Sequence, residues 1–283
     1  IDRGPRPLPF MDEEITEAFV QAFERTGSRY LSDRRVAEVA FDGVSHVVTR
    51  LEDGETVRGE KMLVALGRVA NLKGLGIQAA GLVATPRGLI QVDDHFQTAV
   101  PGIYAAGDMI GFPALAASSM EQGRQAICHA LGVGAGPGDG VIPTGIHTIP
   151  EMASVGLDES HAREQFGSAV VGCAGFEEIA RGQISHCQDG LLKLVADDRG
   201  RRLLGAQIVG ASATELIHVA QMALLNGCET GVFVENIFNF PTLAEAYRVA
   251  ALKIENQVSA RVSKTGMQPR DPKERVPPLP QAR

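Results

Sequence analysis

The apolar positions change period several times along the chain, and each change marks an element. Ile15, Ala18, Phe19, Ala22 and Phe23 recur at helical spacing after the capping residue Asp12, and Gly27 supplies a stop. Extended patterns follow at residues 36–41, 44–51 and 56–58, separated by Asp42-Gly43 and Asp53-Gly54, dipeptides that favour tight hairpin turns. Residues 61–66 (KMLVAL) are then almost continuously apolar and predict a buried strand ending at Gly67-Arg68. A second buried strand is predicted within residues 98–108 (TAVPGIYAAGD). There Val100, Ile103 and Tyr104 favour extended chain, and Ala105, Ala106 and Gly107 strip away bulk at its end. Residues 114–131 predict a helix whose first turn is small and uncharged.

A glycine-rich run at residues 132–140 reads as a flexible linker and as the best domain boundary in the chain. Beyond it, residues 190–196 and 203–210 predict strands joined through Asp198-Arg199-Gly200. Ser212 and Glu215 have the spacing of a capping box for a helix reaching Asn226, with Gly227 as its stop. A last helix is predicted from near Pro241 through Tyr247 and Ala251. From Ser259 the apolar period ends, and residues 259–283 are rich in proline and in Lys and Arg, which predicts a disordered tail.

A length of 283 residues suits about two domains, and 44% hydrophobic with 22% charged residues is a soluble globular composition. No long unbroken apolar run argues for a membrane span, and a net charge of −7 argues against general nucleic-acid binding. Cys128, Cys173, Cys187 and Cys228 form no paired motif, so they read as small half-buried hydrophobes in a reducing, cytoplasmic setting. His129, His186 and His218 lack ligand spacing, and no metal is expected. The chain opens on Ile1 without a targeting signal and reads as one cut from a longer protein.

The candidate chemistry lies at the end of the strand predicted within 98–108. Asp108 puts a carboxylate where open α/β sheets bind ligands, and the amides near Leu115 and Ala116 at the next helix start would point positive charge toward it. A superficial match to a phosphate-binding turn, Gly74-Leu-Gly76-Ile-Gln-Ala79, has no strand leading into it and is set aside.

The segment TAVPGIYAAGD resembles the T-x-x-P-x-I-Y-A-x-G-D segment of the pyridine nucleotide-disulfide oxidoreductase family. The resemblance covers residues 1–254 and implies an α/β chain: partial Rossmann-like nucleotide-binding and FAD-binding segments followed by an α+β dimerisation domain. The implied parts are residues 1–69 (second half of the NAD(P)-binding domain), 70–138 (the end of the FAD-binding domain), 139–258 (dimerisation domain) and 259–283 (tail). Gly67, Arg68 and Asn71 match the family's G-R-x-x-N segment. The resemblance assigns FAD to Gly107, Asp108, Leu115 and Ala116, with Asp108 on the ribitol, and assigns NAD(P) to Asp2, Arg3, Gly67 and Arg68. Asp2 favours NAD through a ribose hydroxyl, whereas Arg3 and Arg6 keep NADP open. A homodimer through residues 141–258 is implied as well.

Disulfide reductases of this family carry H-P-T-x-x-E where this chain reads FPTLAE. Pro241, Thr242 and Glu245 match, but Phe240 replaces the histidine, and a phenyl ring exchanges no proton. No catalytic residue is therefore identified, and Glu245 reads as a helix-surface or interface carboxylate. Residues 142–151, 118–124 and 213–218, together with the FPTLAEAYRVA stretch, resemble the soluble FAD-containing pyridine nucleotide transhydrogenase branch. That branch implies hydride exchange between NADPH and NAD through FAD. The alternatives are a lipoamide dehydrogenase-like disulfide reductase and a non-catalytic dimerisation and cofactor-binding fragment.

Overall fold

The computed structural model describes residues 1–134 and 141–265, with side chains through 263. Two compact units emerge, one of residues 1–62 with the chain from 141 onward, the other of residues 63–140.

The first unit begins with α1 (Glu13–Arg25), and the Asp12 carboxylate accepts the N–H groups of Glu14 and Ile15 as its sequence position predicts. An antiparallel meander follows in the order β1 (Val36–Phe41), β2 (Val47–Leu51), β3 (Thr56–Gly59). Its first turn is held by Asp42, whose carboxylate accepts the amides of Val44, Ser45 and His46. Those amides, the His46 N–H foremost, hold the Asp42 carboxyl well below the usual carboxylate range.

The core of this unit is a five-stranded antiparallel sheet ordered β4 (Thr144–Ile146), β5 (Met152–Gly156), β8 (Leu203–Val209), β7 (Leu191–Ala196), β6 (Val170–Gly175). The largely apolar sequences of β7 and β8, broken only by Lys193 and Gln207, are explained by burial on both faces. On one face, Leu192, Leu194, Ala206 and Ile208 pack with α5 (Ala213–Leu225) and α7 (Glu245–Thr265). Tyr247 of α7 is fully buried, and its hydroxyl donates to the Leu216 carbonyl at 2.7 Å, joining α7 to α5. A Cβ at Gly172 would collide with the Ala250 carbonyl, so β6 carries α7 against bare backbone. Three short helices, α3 (Glu159–Phe166), α4 (Ala180–Ile184) and α6 (Val232–Glu235), complete the unit.

On the opposite face Met11 and Ile15 pack on Met152 and Val209. Beside them Lys193, 2% exposed, points its ammonium at Asp12 (3.1 Å), Glu14 (3.1 Å) and Glu159 (2.7 Å). Burial disfavours its charge, but these carboxylates outweigh that and raise its pKa.

Several sequence expectations are corrected here. Ser212 forms no capping box: its φ is +60° and its side chain makes no cap. The Glu151 carboxylate does this work from 63 residues away, accepting the Thr214 N–H (3.1 Å) and hydroxyl (2.7 Å). The last helix begins at Glu245 rather than at Pro241, and it continues through residues 259–265, the start of the predicted tail. Val258 packs on the core, and no proline interrupts the chain between Pro241 and Pro269. The remaining tail and most of the glycine-rich linker lie outside the described residues.

In the second unit, the strand predicted at 61–66 does not form, and Leu63 and Leu66 are about nine-tenths exposed. Among the described residues no neighbouring strand supplies the ladder that an apolar run needs to become one. The strand predicted within 98–108 is also replaced, by a tight reversal at Pro101-Gly102. Gly102 takes φ +82°, the Ile103 N–H bonds the Val100 carbonyl at 3.1 Å, and a single bridge joins Gln97 to Tyr104. Val100, Ile103 and Ala105 still enter a small core with Ile77, Leu82 and Ile90. The unit's helix, α2, spans Ala116–Ala130.

The Lys193 cluster yields a stability prediction. Lys193→Met is expected to cost about 3–5 kcal/mol, because three carboxylates, the buried Asp12 among them, lose their counter-charge. Chemical denaturation followed by circular dichroism measures it, and a loss below about 1 kcal/mol would show the cluster to be solvated.

Candidate functional site

The Asp108 region is built from backbone up. Gly107 to Ile110 form one 3-10 turn, and Gly107 enters it buried with φ +79°, a conformation that costs any L side chain strain. The Gly107 N–H donates to the Gln122 side-chain oxygen at 2.8 Å. Asp108 then projects a side chain that is 43% exposed. Its carboxylate meets the Arg68 guanidinium at 2.8 Å, and the same guanidinium donates to the Ala114 carbonyl at 2.8 Å.

Arg68, Asp108 and Ala114 line a cavity of about 430 Å³ that also includes Arg87, Gly111 and Phe112. The start of α2 lies next in the chain. Leu115 is its cap residue and Ala116 its first helical residue, no side chain caps it, and its first turn holds no acidic residue. The helix starts at Ala116 rather than at 114 because Ala114 adopts φ +49° after Pro113. Ser118, in that turn, is 8% exposed, and its hydroxyl has no partner among the described residues.

The structure thus brings Gly107, Asp108 and Arg68 together, with Leu115 and Ala116 following in the same unit. Gly67, at φ +108°, precedes Arg68. Asp2 and Arg3 lie in the other unit, where the Asp2 carboxylate accepts the Gly4 N–H at 2.9 Å and Arg3 is exposed. Burial and then Asp2 push the Tyr30 hydroxyl up to about 12. Arg6 is committed locally, donating to the Met11 and Pro9 carbonyls and the Thr16 hydroxyl.

At the position of the family histidine, Phe240 stands 72% exposed, with its peptide bond to Pro241 cis. The Glu245 carboxylate accepts the Thr242 N–H at 3.3 Å and so braces the turn that leads into its own helix. Thr242 in turn donates its hydroxyl to the Asn239 carbonyl, and Arg181 donates to the Pro241 carbonyl. This loop is therefore held by backbone contacts and presents a ring with no titratable proton. Sequence reasoning missed the Arg68–Asp108 pair and the Gln122 contact. A glutamine on the buried face of α2, one turn after Ser118, was the available signal for the second.

Two family models match the chain. One, described as pyridine nucleotide-disulphide oxidoreductase, matches residues 1–123, and the other, the dimerisation domain of the same family, matches residues 142–251. The chain belongs to the pyridine nucleotide-disulphide oxidoreductase family. Family membership makes it an α/β chain closed by an α+β dimerisation domain. Among curated relatives, a soluble pyridine nucleotide transhydrogenase of Mycobacterium tuberculosis is 39% identical over 263 residues, covering 92% of this chain and 55% of its own length. A namesake from Marinobacter nauticus is 36% identical over 261 residues, covering 91% and 56%. The chain therefore spans about half the length of the curated relatives it matches.

Among solved structures, LpdA from Mycobacterium tuberculosis superposes with a TM-score of 0.79 at 28% identity, covering 89% of this chain and 55% of that one. The flavoprotein disulfide reductase RclA from Escherichia coli shares the fold, with a TM-score of 0.81 at 23% identity over 88% and 57%. No helix among the described residues is long and apolar enough to cross a membrane, and no group of three or more His, Cys, Asp or Glu among them has the arrangement of a metal site.

The Asp108 turn of this family member carries a direct test. Gly107→Ala is expected to cost about 1–2 kcal/mol from its positive φ, and its new methyl would sit 3.1 Å from the Ser119 hydroxyl. Gly102→Ala, also at positive φ but with nothing within 4 Å, is the control. Equal losses in thermal unfolding would show that the Ser119 contact is immaterial.

Proposed function

We propose that the protein containing this chain is a cytoplasmic, homodimeric FAD-dependent oxidoreductase that exchanges hydride between NADPH and NAD. The observation that carries this reading is the pairing of an intact Asp108 turn with Phe240. A half-exposed carboxylate lines a cavity in the unit whose helix α2 has an uncapped N-terminus, and the position expected to handle thiol protons holds the phenyl ring of Phe240. The names of the relatives, which are transhydrogenases, point the same way.

The residues fit FAD on their own chemistry. Asp108 accepts hydrogen bonds from hydroxyl groups of a ribitol, and the free amides near Leu115 and Ala116 favour negative charge beside them. Ser118 contributes a buried hydroxyl in the same turn, with no partner among the described residues. When bound, FAD supplies a two-electron carrier that needs no protein disulfide. The chain's part is then orientation and electrostatics: Asp108 anchors, the α2 terminus stabilises an anion, and Arg68 balances the carboxylate.

Asp2, Arg3 and Gly67 are proposed contacts for the nicotinamide nucleotide. Arg68, for which the family resemblance implies the same role, shares the Asp108 cavity and is proposed as a neutralising partner there. The homodimer is proposed through residues 141–258. Ile149 and Ile237, 88% and 97% exposed, and the Phe240 ring leave apolar surface in that region for a second copy to cover.

Asp108→Ala in the full-length protein is expected to weaken FAD binding by about 1.5–3 kcal/mol, roughly 10- to 150-fold. Stoichiometric yellow protein with unchanged affinity would refute the assignment. The full-length protein is expected to reduce an NAD analogue with NADPH and to turn over lipoamide at least about 10²-fold more slowly, the usual cost of a missing general base. Fast lipoamide turnover without nucleotide exchange would favour a disulfide reductase instead. Light scattering is expected to show a dimer at micromolar concentration, and a folded monomer there would remove that part of the proposal.

A further inference from the structure

We infer that Gln122 is a positioning residue for the Asp108 carboxylate, fixing the turn in the form that receives FAD. This rests on the reading of Asp108 as a FAD contact. The Gly107 N–H opens a 3-10 turn, so it has no acceptor within that turn, and the preceding residue Ala106 offers no side-chain cap. Gln122 fills the gap from the middle of α2, 15 residues along the chain, with its oxygen 2.8 Å from the Gly107 nitrogen.

The bond is buried at both ends. Gln122 is 8% exposed and shares the buried face of α2 with Ser118 and Ala126, a face where an amide is costly unless it is hydrogen-bonded. Gly107 is buried as well. The held amide sits one residue before the carboxylate. Gly107, without a Cβ and at φ +79°, has none of the steric restraint that would otherwise fix its backbone. Rotation at Gly107 would swing Asp108, and the Gln122 contact restrains that rotation. Ser119, whose hydroxyl bonds the Leu115 carbonyl at 2.8 Å, closes the other side of the glycine. Gln122 thereby links the orientation of the carboxylate to the helix whose N-terminus lies beside the proposed flavin site.

The test is a double-mutant cycle in the full-length protein, read by FAD titration of the apoprotein with flavin fluorescence. Gln122→Met, similar in length but without the acceptor, is expected to weaken FAD binding about tenfold. Gln122→Glu, which keeps an acceptor oxygen, is expected to stay within about twofold of wild type. In the Asp108→Ala background the same Gln122→Met change is expected to add less than about twofold, since the group it positions is gone. If Gln122→Met does not fold, Gln122→Asn, too short to reach Gly107, replaces it with the same expectations. Equal losses in both backgrounds would overturn the inference and make Gln122 a general support of the domain. Wild-type affinity in Gln122→Met, with Asp108→Ala impaired, would overturn it alone. Wild-type affinity in Asp108→Ala would overturn the FAD reading and this inference with it.

Discussion

Burial of both faces of the β7–β8 pair is the constraint from which the larger unit follows. A strand pair covered on one side only would need polar residues at every second position, and LLKLVA and LLGAQIV do not provide them. Two helical layers are therefore required. Helices α5 and α7 cover one face, and α1 covers the other with α3 beside it. Gly172 is free of a side chain because α7 needs that space, and Lys193 is tolerated inside because α1 and α3 bring carboxylates to it. Sheet, helices and ion cluster are thus parts of one packing solution.

The smaller unit works on another principle. It has little regular structure, and its site is shaped by backbone conformations that a few side chains hold. Gly107 makes the turn, Gln122 satisfies it, and Arg68 neutralises what the turn presents. An exposed ion pair such as Arg68–Asp108 adds little stability, so its meaning lies in how the carboxylate is presented rather than in folding energy. In the other unit, Phe240 presents an exposed ring with no proton to exchange, and Glu245 braces the turn that leads into its own helix.

What was legible in the sequence was what neighbouring residues decide among themselves. The Asp12 cap, the Asp42-Gly43 and Asp53-Gly54 hairpins and the runs of β7 and β8 all carry their cause within a few residues. Elements whose cause is distant were not legible. Strands β5 (MASVG) and β6 (VVGCAG) are short and rich in small residues, and they are strands because β8 and β7 pair with them. Helix α5 is capped by Glu151, not by the neighbouring Ser212, and the segment at 61–66 had the composition of a strand but not the partner. At the site, motif spacing singled out Asp108, whereas its contact with Arg68 crosses 40 residues of chain and left no local mark.

The contact between Lys193 and Asp12 spans 181 residues, and it has a consequence for the order of synthesis. Met11 and Ile15 are synthesised long before Met152 and Val209, the residues that cover them. At about 5–20 residues per second, the wait is roughly 10–40 s. During that interval Met11 and Ile15 lack those partners, and closing so long a loop is entropically costly even once the sheet exists. The larger unit therefore cannot complete its core until residues 63–140 have been made. Residues 1–62 and the chain from 141 onward must find each other after the intervening unit has been made, so Met11 and Ile15, among the most deeply buried residues, stay exposed to chaperones and neighbouring chains through that interval.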